Sequence, residues 1–327
     1  MRLHPAVAAV RVPVRAALSG LDAGEVVAVA CSGGADSLAL ASAAVFEGRR
    51  RGLRIVGVCV DHGLQAGSAD QAERVVVQLA RMGVDETVTV RVQVDATSGL
   101  GPEAAAREAR YAVLEEVAAR LSARLVLLGH TLDDQAETVL LGLARGSGGR
   151  SLQGMRATFG VFARPLLDVR RVDTVTACQV EGLEFWDDPH NHDSAFTRVR
   201  VRERVLPVLE DELGPGIAEA LARTAAQLRE DTLLLDELSS ALLAEAGREG
   251  GLAVVTLAPA PPALRHRALH RGALAAGVPA SELTRGHVLE VDRLLVGWRG
   301  QRWVDLPGHL RALRRDGLLV FEAFGAP

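Results

Sequence analysis

Three groups of residues in this chain carry side chains and spacings that could do chemistry. The first is Ser32-Gly33-Gly34-Ala35-Asp36-Ser37, which follows the apolar run Val26–Cys31. Small residues, two hydroxyls and an aspartate at a strand-to-helix turn can surround an anion with backbone N–H groups and the positive end of a helix, which suits a phosphate. A Walker A loop is excluded, because that motif needs a lysine and all 37 basic residues here are arginine. The second group is Gly129-His130-Thr131-Leu132-Asp133-Asp134-Gln135-Ala136-Glu137-Thr138. Carboxylates at a helix start complement its dipole, which accounts for one of the two aspartates. Asp134 and Glu137, three apart on one face beside a histidine, suit Mg²⁺ coordination, capture of an ammonium group or proton removal from an amine. The third is Gly101 to Tyr111, where helical spacing puts Glu103, Arg107 and Tyr111 on one face. Arg107 could stabilise phosphate charge there or make only a surface ion pair.

These groups need elements to position them, and the first half of the chain supplies alternating ones. Apolar runs predict strands at Val26–Cys31, Ile55–Asp61, Thr87–Val94 and Leu125–Gly129. Helical periodicity predicts Ser37–Arg50, Ala69–Met82, Pro102–Leu121 and Asp133–Ala144. A β-α-β-α order implies an α/β fold with a doubly wound parallel sheet and ligands outside the carboxyl ends of its strands. Ser32–Ser37, Asp61-His62-Gly63-Leu64 and Gly129-His130 all fall at such ends. Asp61 and His62 could line a nucleoside pocket or simply form a turn.

Beyond the glycine-rich stretch Gly146 to Gly154 the sequence reads as irregular to about Thr197. There Asp187 to Asp193 contains two histidines but no nearby cysteine, and an Asx-type turn is expected rather than zinc. A helix follows over Phe196 to Leu213, and after Gly214-Pro215-Gly216 a long connecting helix over Ile217 to Ala246. The smaller C-terminal part reads as helices Ala263–Ala276 and Ser281–Val296 and short strands Arg302–Val304, Leu310–Leu313 and Leu318–Phe321. The expected domains are 1–214, a connector at 215–250, and 251–327.

Composition sets the outer limits. With 327 residues, 48% hydrophobic and 24% charged, the chain is long enough for two domains with a sizeable core. Cys31, Cys59 and Cys178 form no C-x-x-C pair, so neither a zinc site nor an iron–sulfur cluster is expected. The stretch Met1 to Leu18 is interrupted by Arg2, Arg11 and Arg15 and by two prolines, and no run reaches membrane-spanning length, so a cytoplasmic protein is expected. A formal net charge of -4 argues against indiscriminate nucleic-acid binding. Arginines nevertheless cluster at Arg164, Arg170 and Arg171, at Arg198, Arg200, Arg202 and Arg204, and near Arg311, Arg314 and Arg315.

Taken in order, these motifs resemble the bacterial tRNA(Ile)-lysidine synthases, N-type PP-loop ATP pyrophosphatases with an adenine nucleotide alpha hydrolase-like fold. The matching pieces are Ser32–Ser37, Asp61–Leu64, Glu103 with Ala106-Arg107 and Arg110-Tyr111, His130–Thr138, Arg145–Gly148, Arg164-Pro-Leu-Leu167, and Asp188 with Pro189, Asn191 and Asp193. Ser151 and Val199 depart from the family pattern, which more often has glycine and asparagine there. The resemblance implies an enzyme that uses ATP with Mg²⁺, free L-lysine and the isoleucine tRNA bearing a CAU anticodon. It converts the wobble cytidine to lysidine through an adenylated base, switching codon reading from AUG to AUA. It further implies an ATP site at Ser32, Gly33, Gly34, Ala35, Asp36, Ser37, Asp61 and His62, with Asp36 as the Mg²⁺ ligand. The catalytic set would be Asp36, Arg107, His130, Asp134 and Glu137. The tRNA contacts would be Arg198, Arg200, Arg202, Arg311 and Arg314, the last two in an α+β C-terminal domain. A homodimer is among the assemblies this allows. The rival readings are a 2-thiocytidine-type PP-loop enzyme, which would need cysteines for sulfur chemistry, an amide-forming synthetase, and a nucleotide- or tRNA-binding protein without catalysis.

Overall fold

The structure is a computed structural model describing residues 3–61, 68–91, 102–146, 148–188 and 193–325. It divides into two compact units, Met1–Ala226 and Gln227–Pro327. The first unit runs α1 (Pro5–Ala17), β1 (Val26–Ala30), α2 (Ala35–Arg49), β2 (Arg54–Asp61), α3 (Ser68–Met82), β3 (Glu86–Arg91), α4 (Pro102–Arg120), β4 (Leu125–Leu127) and α5 (Leu132–Arg145). A short 3₁₀ turn, then β5 (Thr158–Phe159), β6 (Phe162–Ala163), α6 (Arg171–Glu181), α7 (Thr197–Arg200) and α8 (Leu206–Leu213) follow. The long helix α9 (Ile217–Ala246) contains the boundary between the units.

The sheet order is β3-β2-β1-β4-β6-β5, parallel throughout except for the β5–β6 hairpin at one edge. Strand side chains alternate between faces, and here both faces are covered. Val27, Val29, Ile55 and Leu127 pack with α1, α2, α3 and α6. Ala28, Val56, Val58, Val126 and Leu128 pack with Leu114, Val117 and Ala118 of α4. Two-sided burial is why these strands read as continuous apolar runs.

Among the described residues most strand and helix ends fall within two residues of the sequence reading, the end read at Val94 lies outside them, and three differences have physical causes. Helix α1 forms across a stretch whose arginines and prolines read as interruptions. Ala6, Val7, Val10 and Val14 make a buried helical stripe, and Pro13 gives up only one backbone bond. Helix α6 lies inside the segment read as irregular. Its Val172, Thr174, Val175 and Thr176 favour strands, yet burial of Thr174, Ala177 and Cys178 on one face prevails, and Gly182 closes the helix at φ 68°. The helix expected over 196–213 is interrupted by a wide π turn at Val201–Val205. Pro207 has no N–H for the preceding turn, and the wider turn absorbs the defect.

The second unit contains β7 (Gly247–Arg248), β8 (Gly251–Ala253), α10 (Val254–Leu257), α11 (Pro262–Ala275), α12 (Arg285–Val296), β9 (Val304–Leu306), β10 (Leu310–Arg315) and β11 (Leu318–Ala323). Its sheet is antiparallel, in the order β7-β8-β11-β10-β9. Helix α12 starts later than its apolar pattern suggests because Thr284 caps it, accepting from His287 N. Among the described residues no helix is long and apolar enough to cross a membrane.

Candidate active site

The turn after β1 is shaped by its glycines and held by Ser37. Gly33 sits at φ +87°, and a Cβ there would come within 2.7 Å of both Gln71 and Val75, so only glycine fits. The Ser37 hydroxyl donates to Gly34 O (2.9 Å) and accepts from Ser32 N (3.2 Å). Gly34 is the N-cap of α2 and supplies no side-chain cap. Among the described residues the first N–H groups of α2, from Ala35 onward, therefore meet no capping side chain, and such a helix start can accept an anion. Gly129, at the end of β4, brings a second segment against this turn. Its Cβ position lies 3.2 Å from the Asp36 carbonyl and Ser37 Cα.

That approach puts Asp36 beside the start of α5, where carboxylates and arginines interlock. Arg171, at the start of α6, donates from Nε to Asp36 (3.1 Å) and from Nη2 to Asp134 (2.8 Å), and its Nη1 lies 3.6 Å from Glu137. Arg202, in the π turn, grips both oxygens of Glu137 at 2.6 and 3.1 Å, and Arg198 lies 3.7 Å away. The Thr174 hydroxyl donates to the other oxygen of Asp36. Glu137 is wholly buried and Asp134 nearly so, while Asp36, at 21%, is almost as open as the three arginines (26%, 27% and 26%).

These surroundings separate the carboxylates as acids. Burial pushes Asp134 up, but Arg171, His130, the Thr131 N–H and Arg202 outweigh it and hold its pKa at about 2. Burial raises Glu137 above the usual glutamate range, with Arg202 pulling against it, and raises Asp36 against Arg171 and Thr174. Asp134 also has a structural task. Its carboxylate accepts from Thr131 N (2.8 Å) while Thr131 Oγ1 accepts from Asp134 N, completing a capping box. The helix-start explanation thus covers Asp134 as well, whereas Asp133 accepts from Arg171 N and pairs with Arg170.

His130 is held by a second group. Arg164, only 6% exposed, donates from Nε to His130 Nδ1 (3.2 Å), from Nη2 to the Tyr111 hydroxyl (2.9 Å) and from Nη1 to Arg156 O (2.7 Å). A guanidinium only donates, so Nδ1 carries no proton and Nε2 carries the hydrogen. Burial and the arginines Arg164, Arg107 and Arg198 lower the imidazole pKa to about 4, against the pull of Asp134. His130 is therefore a neutral N–H donor at neutral pH. Arg107 lies over the Tyr111 ring at 5.3 Å and donates to its hydroxyl (3.4 Å), so these two residues do share a helical face, while the side chain of Glu103 lies outside the described part.

The structure brings Asp36, His130, Asp134 and Glu137 into one neighbourhood, and joins Arg198 and Arg202 to it through Glu137. It does not bring Arg200 there. That guanidinium holds the carbonyls of Ser194 and Ala195 and the Thr197 hydroxyl. Asp193 accepts from Ala195 N (2.9 Å), the expected Asx turn. Val199 is buried, and Ser151 donates to Gly148 O (2.7 Å). Asp61 ends β2, and His62 lies outside the described residues. Arg311 and Arg314 are in β10 of the second unit. The residues missed as site members are Arg171, Thr174, Arg164 and Tyr111. Arg164 carried a signal in Arg-Pro-Leu-Leu and Arg171 one only as part of the arginine cluster Arg164, Arg170 and Arg171, while Thr174 had none with α6 read as irregular.

A parallel sheet with a glycine turn and an uncapped helix at its first strand, and a charged cluster at the neighbouring strand end, defines the PP-loop class. A PP-loop domain family model matches residues 13–209. The chain is 55% identical over 320 residues to the tRNA(Ile)-lysidine synthase of Thermobifida fusca, covering 98% of each chain. It is 50% identical over 351 aligned positions to that of Streptomyces coelicolor, covering 98% and 99%. The solved U34-tRNA thiolase of Methanococcus maripaludis shares the fold, with a TM-score of 0.59 at 20% identity over 69% of this chain and 80% of that one. The chain belongs to the tRNA(Ile)-lysidine synthase family of PP-loop proteins.

Proposed function

We propose that the protein joins the ε-amine of free L-lysine to C2 of the wobble cytidine in the CAU-anticodon isoleucine tRNA, consuming ATP and releasing AMP and pyrophosphate. The observation that carries this reading is an anion-binding glycine turn next to a buried arginine–carboxylate cluster, in a chain about half identical to named synthases over nearly its whole length. A phosphate loop alone needs no such cluster. The thiolation alternative lacks a comparable support: Cys31, Cys59 and Cys178 are each buried and in no disulfide.

In the first step cytidine O2 bonds the α-phosphorus of ATP and the bond to pyrophosphate breaks. The N–H groups at the start of α2, the Ser32 and Ser37 hydroxyls and Arg107 are the donors for the phosphoryl charge. His130 offers hydrogen from Nε2 to an oxygen but carries no counter-charge. In the second step an amine must attack, and lysine arrives as an ammonium with no lone pair. Asp134, held at about 2, is a poor base, whereas Glu137 is raised and takes the proton. Arg171 now fills the space between the three carboxylates, so the ammonium reaches Glu137 by displacing it. The nitrogen then bonds C2, the C2–O2 bond breaks, AMP leaves with O2, and the nitrogen loses its extra proton.

Mg²⁺ enters with ATP. No group of three or more His, Cys, Asp or Glu side chains fit to hold an ion occurs among the described residues, and both Asp36 oxygens meet Arg171 or Thr174. An ion carried on the phosphates would meet Asp36 as its protein ligand only where it displaces Arg171 or Thr174, and there it would offset phosphate charge. The flipped-out base would be reached near Arg198 and Arg202, and Arg311 and Arg314 would hold the tRNA body. A cytoplasmic location and a homodimer complete the reading, the latter checked by sedimentation.

The test uses purified protein, ATP, Mg²⁺, labelled lysine and a CAU transcript with isoleucine identity. Lysine-dependent label in the tRNA with matching AMP release, and none in a methionine tRNA, is the expected result. No incorporation despite ATP and tRNA binding would sink it.

A further inference from the structure

In three ion pairs of this chain an arginine meets both oxygens of a carboxylate with the edge formed by Nε and Nη2. Arg15 holds Glu47 in this way, Arg202 holds Glu137, and Arg265 holds Asp292. Arg164 turns the same edge to two neutral groups, His130 Nδ1 at 3.2 Å and the Tyr111 hydroxyl at 2.9 Å. Its Nη1 is spent on Arg156 O, and its guanidinium carbon lies over the Phe159 ring, 4.3 Å from the centre. Among the described residues it pairs with no carboxylate, although it is only 6% exposed. A covered cation without a counter-charge is costly, and an anionic substrate supplies what is lacking. So little of Arg164 is exposed that its charge must act through the two groups on that edge.

Each of those groups has a hydrogen left to give. His130 accepts at Nδ1 and carries its hydrogen at Nε2. The Tyr111 oxygen accepts from Arg164 and from Arg107 Nη2 (3.4 Å), and its own hydrogen meets no acceptor among the described residues. A hydroxyl that takes in two guanidinium hydrogens is polarised toward giving its own. Tyr111 is half-buried, so the phenol is not sealed in the core. Contacts run from it back to the phosphate turn. Arg164 joins it to His130, and Gly129, the neighbour of His130, abuts the backbone of Asp36 and Ser37. That link favours a phosphoryl oxygen as the acceptor over the carboxylate of the amino acid.

We infer that Tyr111 is a further catalytic residue, its hydroxyl donating to an α-phosphoryl oxygen of the nucleotide beside the Nε2–H of His130. This rests on the proposed reaction and adds a donor to it. The hydrogen stays on the phenol oxygen, and no bond to it breaks. The phosphoryl oxygens carry the charge when cytidine O2 bonds phosphorus and again when AMP leaves with O2, so the donor serves both steps. Glu137, by contrast, serves the second alone.

Tyr111 is the single tyrosine of the chain, so growth on 3-fluorotyrosine labels this position alone and keeps its oxygen. In the full-length protein the ¹⁹F line should move on adding α,β-methylene ATP and stay in place on adding lysine. Tyr111→Phe keeps the ring and removes the oxygen. Pyrophosphate release and lysine transfer should both fall about 10²-fold, with KM for lysine and Kd for tRNA unchanged. The ¹⁵N shifts of His130 should stay those of the parent, because Arg164 Nε still holds Nδ1. A ¹⁹F line unmoved by the nucleotide, or moved by lysine alone, would overturn the assignment. So would parent rates in Tyr111→Phe, or a loss confined to lysine transfer. Slowing that comes with an altered His130 tautomer would overturn it too, since the phenol would then act only through Arg164. If Tyr111→Phe does not fold, the ¹⁹F titration decides by itself. Because that titration needs no turnover, a protein whose line responds to the nucleotide but which incorporates no lysine would sink the reaction and leave the contact standing.

Discussion

Each unit buries charge, and the two do it differently. In the second unit Arg265 and Asp292 are 7% and 11% exposed and bonded at 2.6 and 3.2 Å. Arg265 also donates to the carbonyls of Ala258 and Ala260, and His266 lies 3.3 Å from the same aspartate. Both charges are covered and the donors are spent on main chain, so this pair fastens α11 to α12. In the first unit each carboxylate is shared, and Arg171 alone reaches Asp36, Asp134 and Glu137. The arginines enter from the solvent side and have alternatives within reach. A closed pair fixes structure; an open, shared network can exchange one cation for another, as the proposed lysine binding would require.

The largest expected effect tests the open network. Glu137→Gln keeps the size of the side chain and removes its basicity, so lysine transfer should fall by about 10² to 10⁴. Pyrophosphate release with tRNA and ATP should persist, because the adenylation step does not use that base. Rapid-quench measurement of the two half-reactions separates them, and equal loss in both would refute the assignment. Next comes the closed pair. Arg265→Met strands Asp292 and should cost about 3 kcal/mol of stability, discounted from isolated pairs because His266 stays near. Urea denaturation reads that loss, with turnover per folded molecule retained.

Much of this contrast was legible in the sequence, for reasons particular to each residue. Loop residues Ser32 to Ser37 announce themselves because glycine backbone, hydroxyls and a helix start are local features. Asp134 and Glu137 show their shared face through spacing alone. Arg171 does not, because its role depends on α6 packing against α2, and α6 forms against its own β-branched composition. Burial decided that helix, and burial is a property of the whole sheet. Arg200 differs in the opposite way: its neighbours in sequence mark it as part of a basic surface, and the structure adds that its donors close a local turn.

Exchange of cations in the open network is sharpened by Arg171→Lys. A point charge cannot meet three carboxylates as the planar fork does, so turnover should drop about tenfold or more, since one pKa unit of altered coupling is tenfold. KM for lysine should change with it, because lysine competes for the same oxygens. A variant with wild-type KM for lysine would show that Arg171 does not occupy the lysine site.

The smallest effects concern protons. Arg164→Met removes the donor that pins His130 Nδ1 and one of the charges lowering its pKa. The imidazole should titrate nearer 6.5 than its present value of about 4, and ¹⁵N shifts should show mixed tautomers. Activity of the variant should then fall on acidification at a higher pH than in the parent protein. The stability sign agrees: with His130 depressed in the fold, the unfolded chain binds the proton first. Stability is therefore fully present above about 6.5 and declines as pH drops toward about 4. In the variant that decline should shrink, because the folded and unfolded values converge. No comparable change is expected from Arg265→Met at this histidine. A parent-like ¹⁵N spectrum in Arg164→Met would mean that packing around His130, rather than the guanidinium, selects the tautomer.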